Sequence, residues 1–233
     1  MKLVVDHVSK TFGDKAILKD ACYEFEKGKI YGLLGRNGAG KTTLFNCISQ
    51  NMSIGKGEIT LEGSAYKSNQ IGYIQTMPQL PPFLTGYEFV KYFVDINKER
   101  IPGLRTPQEY LNRIGIAPDS HHLLIRDYSH GMQNKIQMIV ALMVQPPVLL
   151  LDEPLTSFDV VAAHDIKQLL ISIKSETIII FSTHILPLAR ELCDEIVLLH
   201  QKSLEGISGE RLRSPDFEQE LIQLLADDIK GDA

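Results

Sequence analysis

Cysteine is scarce in this chain: Cys22, Cys47 and Cys193 are the only ones among 233 residues. Their number is odd and no C-x-x-C pair occurs, which argues for reduced thiols in a cytosolic setting over a disulfide framework or a zinc site. An excess of positive charge is also missing. A net charge of −5 argues against nucleic-acid binding through bulk charge, and no nucleic-acid partner is expected. No run approaches the roughly 18 apolar residues of a membrane-spanning helix. The opening Met1-Lys2-Leu3-Val4-Val5-Asp6 meets a charge too early for a signal peptide. Any role at a membrane therefore requires another chain to supply the span. Internal repeats at solenoid periods are absent. What remains is a chain with 44% hydrophobic residues, enough for a real core, and a length that suits one large domain with subdomains.

Against these absences stands one stretch that organises the rest. Gly35-Arg36-Asn37-Gly38-Ala39-Gly40-Lys41-Thr42 fits the phosphate-binding pattern G-x-x-x-x-G-K-[ST] at every fixed position. A short apolar strand, Ile30 to Leu34, precedes it, and Thr43 to Ile48 reads as the first turns of a helix. Strand, glycine loop and helix form the context in which the pattern has a physical meaning. The glycines let successive backbone N–H groups turn toward phosphate oxygens, and the helix N-terminus adds partial positive charge. Lys41 is placed to reach the β- and γ-phosphates, and the Thr42 hydroxyl to ligate Mg²⁺.

Along the chain, residues 3–8 and 17–25 read as strands, with Ser9 to Asp14 as a turn between them. Further strands are expected at Glu58–Leu61 and Ile71–Ile74, after a break at Gly55-Lys56-Gly57. From Pro78 the character changes to helical periodicity, read as a helical insertion over about 78–144 whose last helix runs from Gly131 to Val144. Short apolar runs at 148–151, 177–181 and 196–199 then alternate with a helix at 166–173. That alternation predicts an α/β fold with a parallel sheet flanked by helices. The strand at 148–151 ends in Asp152-Glu153, the second site that phosphate-loop enzymes need. The aspartate holds the Mg²⁺ water shell and the glutamate orients and deprotonates an attacking water. His184 closes the strand at 177–181 and faces the crevice at the carboxyl ends of the strands.

From Phe12 to about Gly209 the sequence resembles the nucleotide-binding subunit of ATP-binding-cassette (ABC) transporters. Ser129-His130-Gly131-Met132 resembles the signature loop of that family, with Asp152 following 23 residues after Ser129. Asp152 to Asp159 resembles the Walker B segment running into the D-loop, and Phe181-Ser182-Thr183-His184 resembles the H-loop. Phe12 sits where the family stacks an aromatic on adenine. The resemblance implies an ATPase with a phosphate-loop core, an antiparallel β subdomain and a helical signature subdomain. The cassette spans 1–215, with a C-terminal helical tail at 216–233. It implies ATP and Mg²⁺ as ligands, with contacts from Phe12, residues 35–43 (Arg36, Asn37, Ala39 and Thr43 included), Ser129, Gly131 and Asp159. Glu153 and His184 are the implied catalytic pair, and Thr42, Asp152 and Gln75 the implied metal contacts.

The signature reads Tyr128-Ser129-His130-Gly131-Met132, so both phosphate-contacting residues are kept while His130 and Met132 depart from the common pattern. The family's Q-loop glutamine aligns by spacing with Thr76; Gln75 is one residue short and is slightly preferred, with Thr76 as the alternative. The resemblance further implies a head-to-tail dimer (homodimer, or heterodimer with a second cassette) held by two ATP molecules. It implies an integral membrane permease as partner, and a cytoplasmic location at the inner face of the membrane. The stretch Pro81–Phe93 is expected to line the groove for a coupling helix of the permease. The wording of the motifs is most like export-type cassettes handling peptides, antibiotics or lipids. The competing readings are a cassette ATPase not coupled to transport, such as an iron–sulfur assembly ATPase, and a phosphate-loop GTPase or kinase. The last is disfavoured because Asn134-Lys135-Ile136-Gln137 lacks the aspartate of a guanine-reading motif.

Overall fold

The computed structural model describes residues 1–154 and 160–212, with Ser214, Asp216, Phe217, Gln219 and Leu221. Asp159 and most of the expected tail at 216–233 lie outside the described residues. Two strands, β1 (Lys2–Phe12) and β2 (Lys15–Glu26), open the chain as an antiparallel hairpin. The stretch from Ser9, read from sequence as a turn, remains strand as far as Phe12, and Gly13 at φ 56° makes the reversal. Pairing with β2 supplies the hydrogen bonds that the polar sequence of this stretch concealed. β4 (Lys56–Leu61) completes a three-stranded antiparallel sheet in the order β2-β1-β4.

The strand β3 (Ile30–Leu34) runs into the glycine loop and helix α1 (Lys41–Ile48). After β5 (Ile71–Ile74) come three helices, α2 (Gly86–Asn97), α3 (Pro107–Arg113) and α4 (His130–Met143). Thr85 and Thr106 open the first two through capping boxes with Glu88 and Glu109, so each helix start is written in its own sequence. These helices share a core of their own around Val90, Leu111, Tyr128 and Ile136. The chain continues through β6 (Val148–Asp152), α5 (Val160–Ile173), β7 (Ile178–Ser182), α6 (Leu186–Leu192), β8 (Glu195–His200), β9 (Ser203–Ile207) and α7 (Gly209–Leu212).

A six-stranded sheet has the order β5-β6-β7-β3-β8-β9, parallel except for β9 at its edge. β3, β6 and β7 are buried along their whole length, as strands covered on both faces must be. One apolar cluster joins one face to α1 and the antiparallel sheet (Leu33, Phe45, Leu150, Ile180). Another joins the opposite face to α4, α5 and α6 (Leu149, Phe181, Met138, Leu170, Ala189). Each fully buried Leu, Ile or Phe contributes about 1.5–3 kcal/mol by leaving water. The described part of the tail, Phe217 and Leu221, packs into the second cluster. The parallel run places the carboxyl ends of β3, β5, β6 and β7 along one edge of the sheet, and that edge carries the site.

Candidate active site

The glycine loop turns sharply because two of its residues have left-handed backbone, Gly38 at φ 82° and Gly40 at φ 109°. A Cβ on Gly40 would stand 2.6 Å from Cγ2 of Ile17, and one on Gly35 would stand 2.8 Å from the carbonyl oxygen of Leu199. Glycine is thus required by close packing at both positions as well as by conformation at Gly40. Gly40 is also the N-cap of α1 and offers no capping side chain, so the first amides of the helix face the loop without a competing side-chain acceptor. Lys41 is buried, and its ammonium donates to the carbonyl oxygens of Gly35 (2.8 Å) and Arg36 (3.1 Å). Burial lowers its pKa, opposed by the carboxylates of Glu153 and Asp152.

The end of β6 meets this loop. Thr42 donates its hydroxyl to Oδ2 of Asp152 at 2.8 Å, and Ser182 at the end of β7 donates to Oδ1 at 2.5 Å. Ser182 also accepts the Glu153 amide at 3.1 Å, so one buried hydroxyl sets both acidic residues. β7 lies between β6 and β3 and pairs Ser182 with Asp152 on one side and with Leu33 on the other. In the sequence Ser182 shows no role of its own beyond its place in the H-loop motif, its one further signal being a polar residue that closes a buried strand. Burial and the Asp152 carboxylate together raise the pKa of Tyr73 on β5.

Glu153 has φ 53°, a left-handed conformation that a glutamate adopts at a cost of order 1–3 kcal/mol. The turn directs its carboxylate to His184, whose Nδ1 lies 2.9 Å away. A cavity of about 400 Å³ is lined by Gly38, Gly40, Lys41, Thr42, Thr43, Asp152, Glu153 and Thr76, with Asn37 and Ile17 at its side. A second cavity of about 620 Å³ continues from Asn37, Gly38 and Ala39 along Ala16, Ile17 and Lys15 of the β1–β2 hairpin. Phe12 stands 47% exposed on that hairpin, with the Lys10 ammonium 5.4 Å from its ring centre. Arg36 and His184 line a third cavity with Thr183.

Of the two Q-loop candidates, Thr76 lines the cavity with Thr42 and Asp152, and its hydroxyl donates to the Asp152 carbonyl at 3.1 Å. Gln75 lines a smaller recess behind, and its carbonyl accepts from the Gln137 side chain on α4 at 3.1 Å. Ser129 is the N-cap of α4 and accepts the Met132 amide through its hydroxyl at 3.2 Å; Gly131 lies in the first turn of that helix. Neither Ser129 nor Gly131 is among the residues lining the phosphate-loop cavity. Thus Lys41, Thr42, Asp152, Glu153, Thr76 and His184 gather at one sheet edge, whereas the signature residues stand apart on α4. Thr42 and Asp152 offer hard oxygen donors held against each other, a donor set that suits Mg²⁺ with waters completing its shell.

A family model described as ABC transporter matches residues 18–156. The uncharacterized ABC transporter ATP-binding protein YhaQ of Bacillus subtilis is 34% identical over 212 residues, covering 89% of this chain and 70% of that protein. The bacitracin transport ATP-binding protein BcrA of Enterococcus faecalis is 30% identical over 211 residues, covering 85% of this chain and 66% of that protein. A solved ATP-binding subunit of an ABC transporter superposes with a TM-score of 0.83 at 24% identity, covering 96% of this chain and 99% of the other.

Proposed function

This chain belongs to the ABC transporter family as an ATP-binding, ATP-hydrolysing subunit, and we propose that it drives a separate membrane permease, in an exporter. The observation that carries the site assignment is the meeting of the glycine loop, Asp152-Glu153 and His184 at the carboxyl ends of neighbouring parallel strands. Lys41 leaves its carbonyl partners to neutralise the terminal phosphates of ATP, and the loop amides hold the remaining oxygens. Thr42 and Asp152 hold Mg²⁺, which when bound neutralises charge on the phosphate oxygens. Glu153 takes the proton of the attacking water at its carboxylate, with His184 steadying that carboxylate and the γ-phosphate. The cavity along Ala16 and Ile17 takes the adenosine, with Phe12 stacking on adenine by the family resemblance alone.

Ser129 and Gly131 complete the site of a second subunit in a head-to-tail dimer, a role supported by their absence from the lining of their own phosphate-loop cavity and by the resemblance of their motif. Asp159 belongs to the same interface by that resemblance alone. Subunits of this kind work at the cytoplasmic face of the membrane, and among the described residues no helix is long and apolar enough to cross one. The permease docks where the Q-loop meets α2. There Met77 and Phe83 are 68% and 73% exposed, and Leu123 is exposed beside the Thr85–Leu124 bridge.

The test is co-purification of the tagged chain from detergent-solubilised membranes. A near-stoichiometric polytopic partner, lost on Phe83→Ser with Met77→Ser, supports the proposal. Recovery solely with soluble assembly proteins overturns it. The geometry favours Thr76 over Gln75 as the Q-loop group facing metal and water. Thr76→Val is therefore expected to lower kcat about tenfold or more, a modest share of a positioning effect. Gln75→Ala should change it less than about twofold on the same reasoning, and a reversed order in steady-state kinetics returns the role to Gln75.

A further inference from the structure

The antiparallel sheet holds a second cluster of coordinating side chains, remote in sequence from every phosphate-loop motif. Between the pairs Val5↔Tyr23 and Val8↔Ala21, β1 carries one residue more than β2, so Asp6 and His7 form a bulge. His7 has φ 49° and Asp20 across the hairpin has φ 51°. On the other side Gly57 of β4 packs so closely that a Cβ would stand 2.3 Å from the His7 carbonyl oxygen and 2.4 Å from that of Asp6. The bulge is thereby pinned from both neighbouring strands. It brings ligand atoms of Asp6, His7 and Cys22 within 4.8 Å of one another.

Three details of the cluster suit a metal. Nδ1–H of His7 donates to Oδ1 of Asp20 at 2.6 Å, which fixes the tautomer and leaves Nε2 as the free lone pair. This carboxylate–imidazole pairing is the arrangement that orients metal-binding histidines. Nε2 in turn lies 3.8 Å from Oδ1 of Asp6, whereas tetrahedral zinc at the usual bond lengths separates a nitrogen and an oxygen ligand by about 3.4 Å. Finally, the His7 amide donates to Sγ of Cys22 at 3.2 Å, which holds the sulfur beside the bulge that carries the imidazole. All three side chains are exposed, so none is held by core packing.

We propose that Asp6, His7 and Cys22 form a binding site for a zinc-class divalent cation, with Asp20 orienting the His7 ring. Thiolate, imidazole and carboxylate select a borderline-soft metal over Mg²⁺ or Ca²⁺. Three protein ligands leave a fourth position to water. Asp20 is a positioning residue, acting through His7.

The test is Co²⁺ titration of the full chain with excess Mg²⁺ present, so that hard oxygen sites are already filled. The expected result is one equivalent of tetrahedral Co²⁺ with a thiolate-to-cobalt charge-transfer band, displaced by Zn²⁺. Cys22→Ser and His7→Ala should abolish the band, and Asp20→Asn should weaken affinity about 10- to 100-fold. Cys22 and His7 are exposed, so neither variant disturbs the core. Zn²⁺ should also raise the Tm of the wild-type chain but not that of His7→Ala. No charge-transfer band in the wild type, or a band that survives Cys22→Ser, overturns the proposal.

Discussion

Glu153→Gln should bind ATP with near wild-type affinity and hydrolyse it about 10²- to 10⁴-fold more slowly, the range a positioned general base contributes. The amide keeps the size of the side chain and can still meet the His184 ring, which lies 2.9 Å from the native carboxylate. It cannot accept the proton of the lytic water. The hydrogen bonds of the phosphate cradle are kept, because Lys41, Thr42 and Asp152 make theirs without Glu153, and what is lost there is one carboxylate charge acting on Lys41. The strained φ of 53° at this position is likewise unchanged, so lost turnover would not reflect lost folding. With hydrolysis blocked, the ATP-bound form should accumulate as a dimer on size-exclusion chromatography when ATP and Mg²⁺ are supplied. Undiminished single-turnover hydrolysis would remove Glu153 as the base and leave His184 as the next candidate.

Lys41→Met should weaken ATP binding by roughly 30-fold or more, about 2 kcal/mol at the low end for truncating one partner of a buried charge pair. The methionine fills the same space but brings no charge to the phosphates. Its effect on the nucleotide-free protein has the opposite character. Burial lowers the pKa of Lys41 from its ordinary 10.5, so the unfolded chain holds this proton more tightly than the folded one. The cost of burying the ammonium is therefore present in full below the folded pKa and fades as pH rises toward the ordinary value. Wild-type protein should gain stability relative to Lys41→Met across that alkaline window, and calorimetric Tm values of the two proteins against pH measure it. A wild type that loses ground to the variant as pH rises would contradict a desolvated Lys41.

The sequence by itself determined the elements whose signals are local. Gly35, Gly38 and Gly40 before Lys41-Thr42 announce a loop only glycine can make, and the structure requires glycine there by left-handed backbone or by contacts under 3 Å. The apolar runs ending in Asp152 and Ser182 announce strands buried on both faces, and they are. Family membership followed from the order of such local signals along the chain. What depended on pairing between distant segments was not legible. β9 is a short edge strand after a turn, too brief and too mixed to declare itself, and it exists because β8 offers it a ladder. The register that seats the Ser182 hydroxyl on Asp152 comes from the strand order, which no spacing encodes. Thr76 and Gln75 are adjacent in sequence just past the end of β5, and only the folded loop shows that Thr76 lines the phosphate-loop cavity while Gln75 does not. The same holds for Cys22. Its spacing from the other cysteines excludes a zinc motif in the sequence, yet a bulge in β1 sets it beside Asp6 and His7. Local chemistry fixed what the segments are, and long-range pairing fixed which side chains meet.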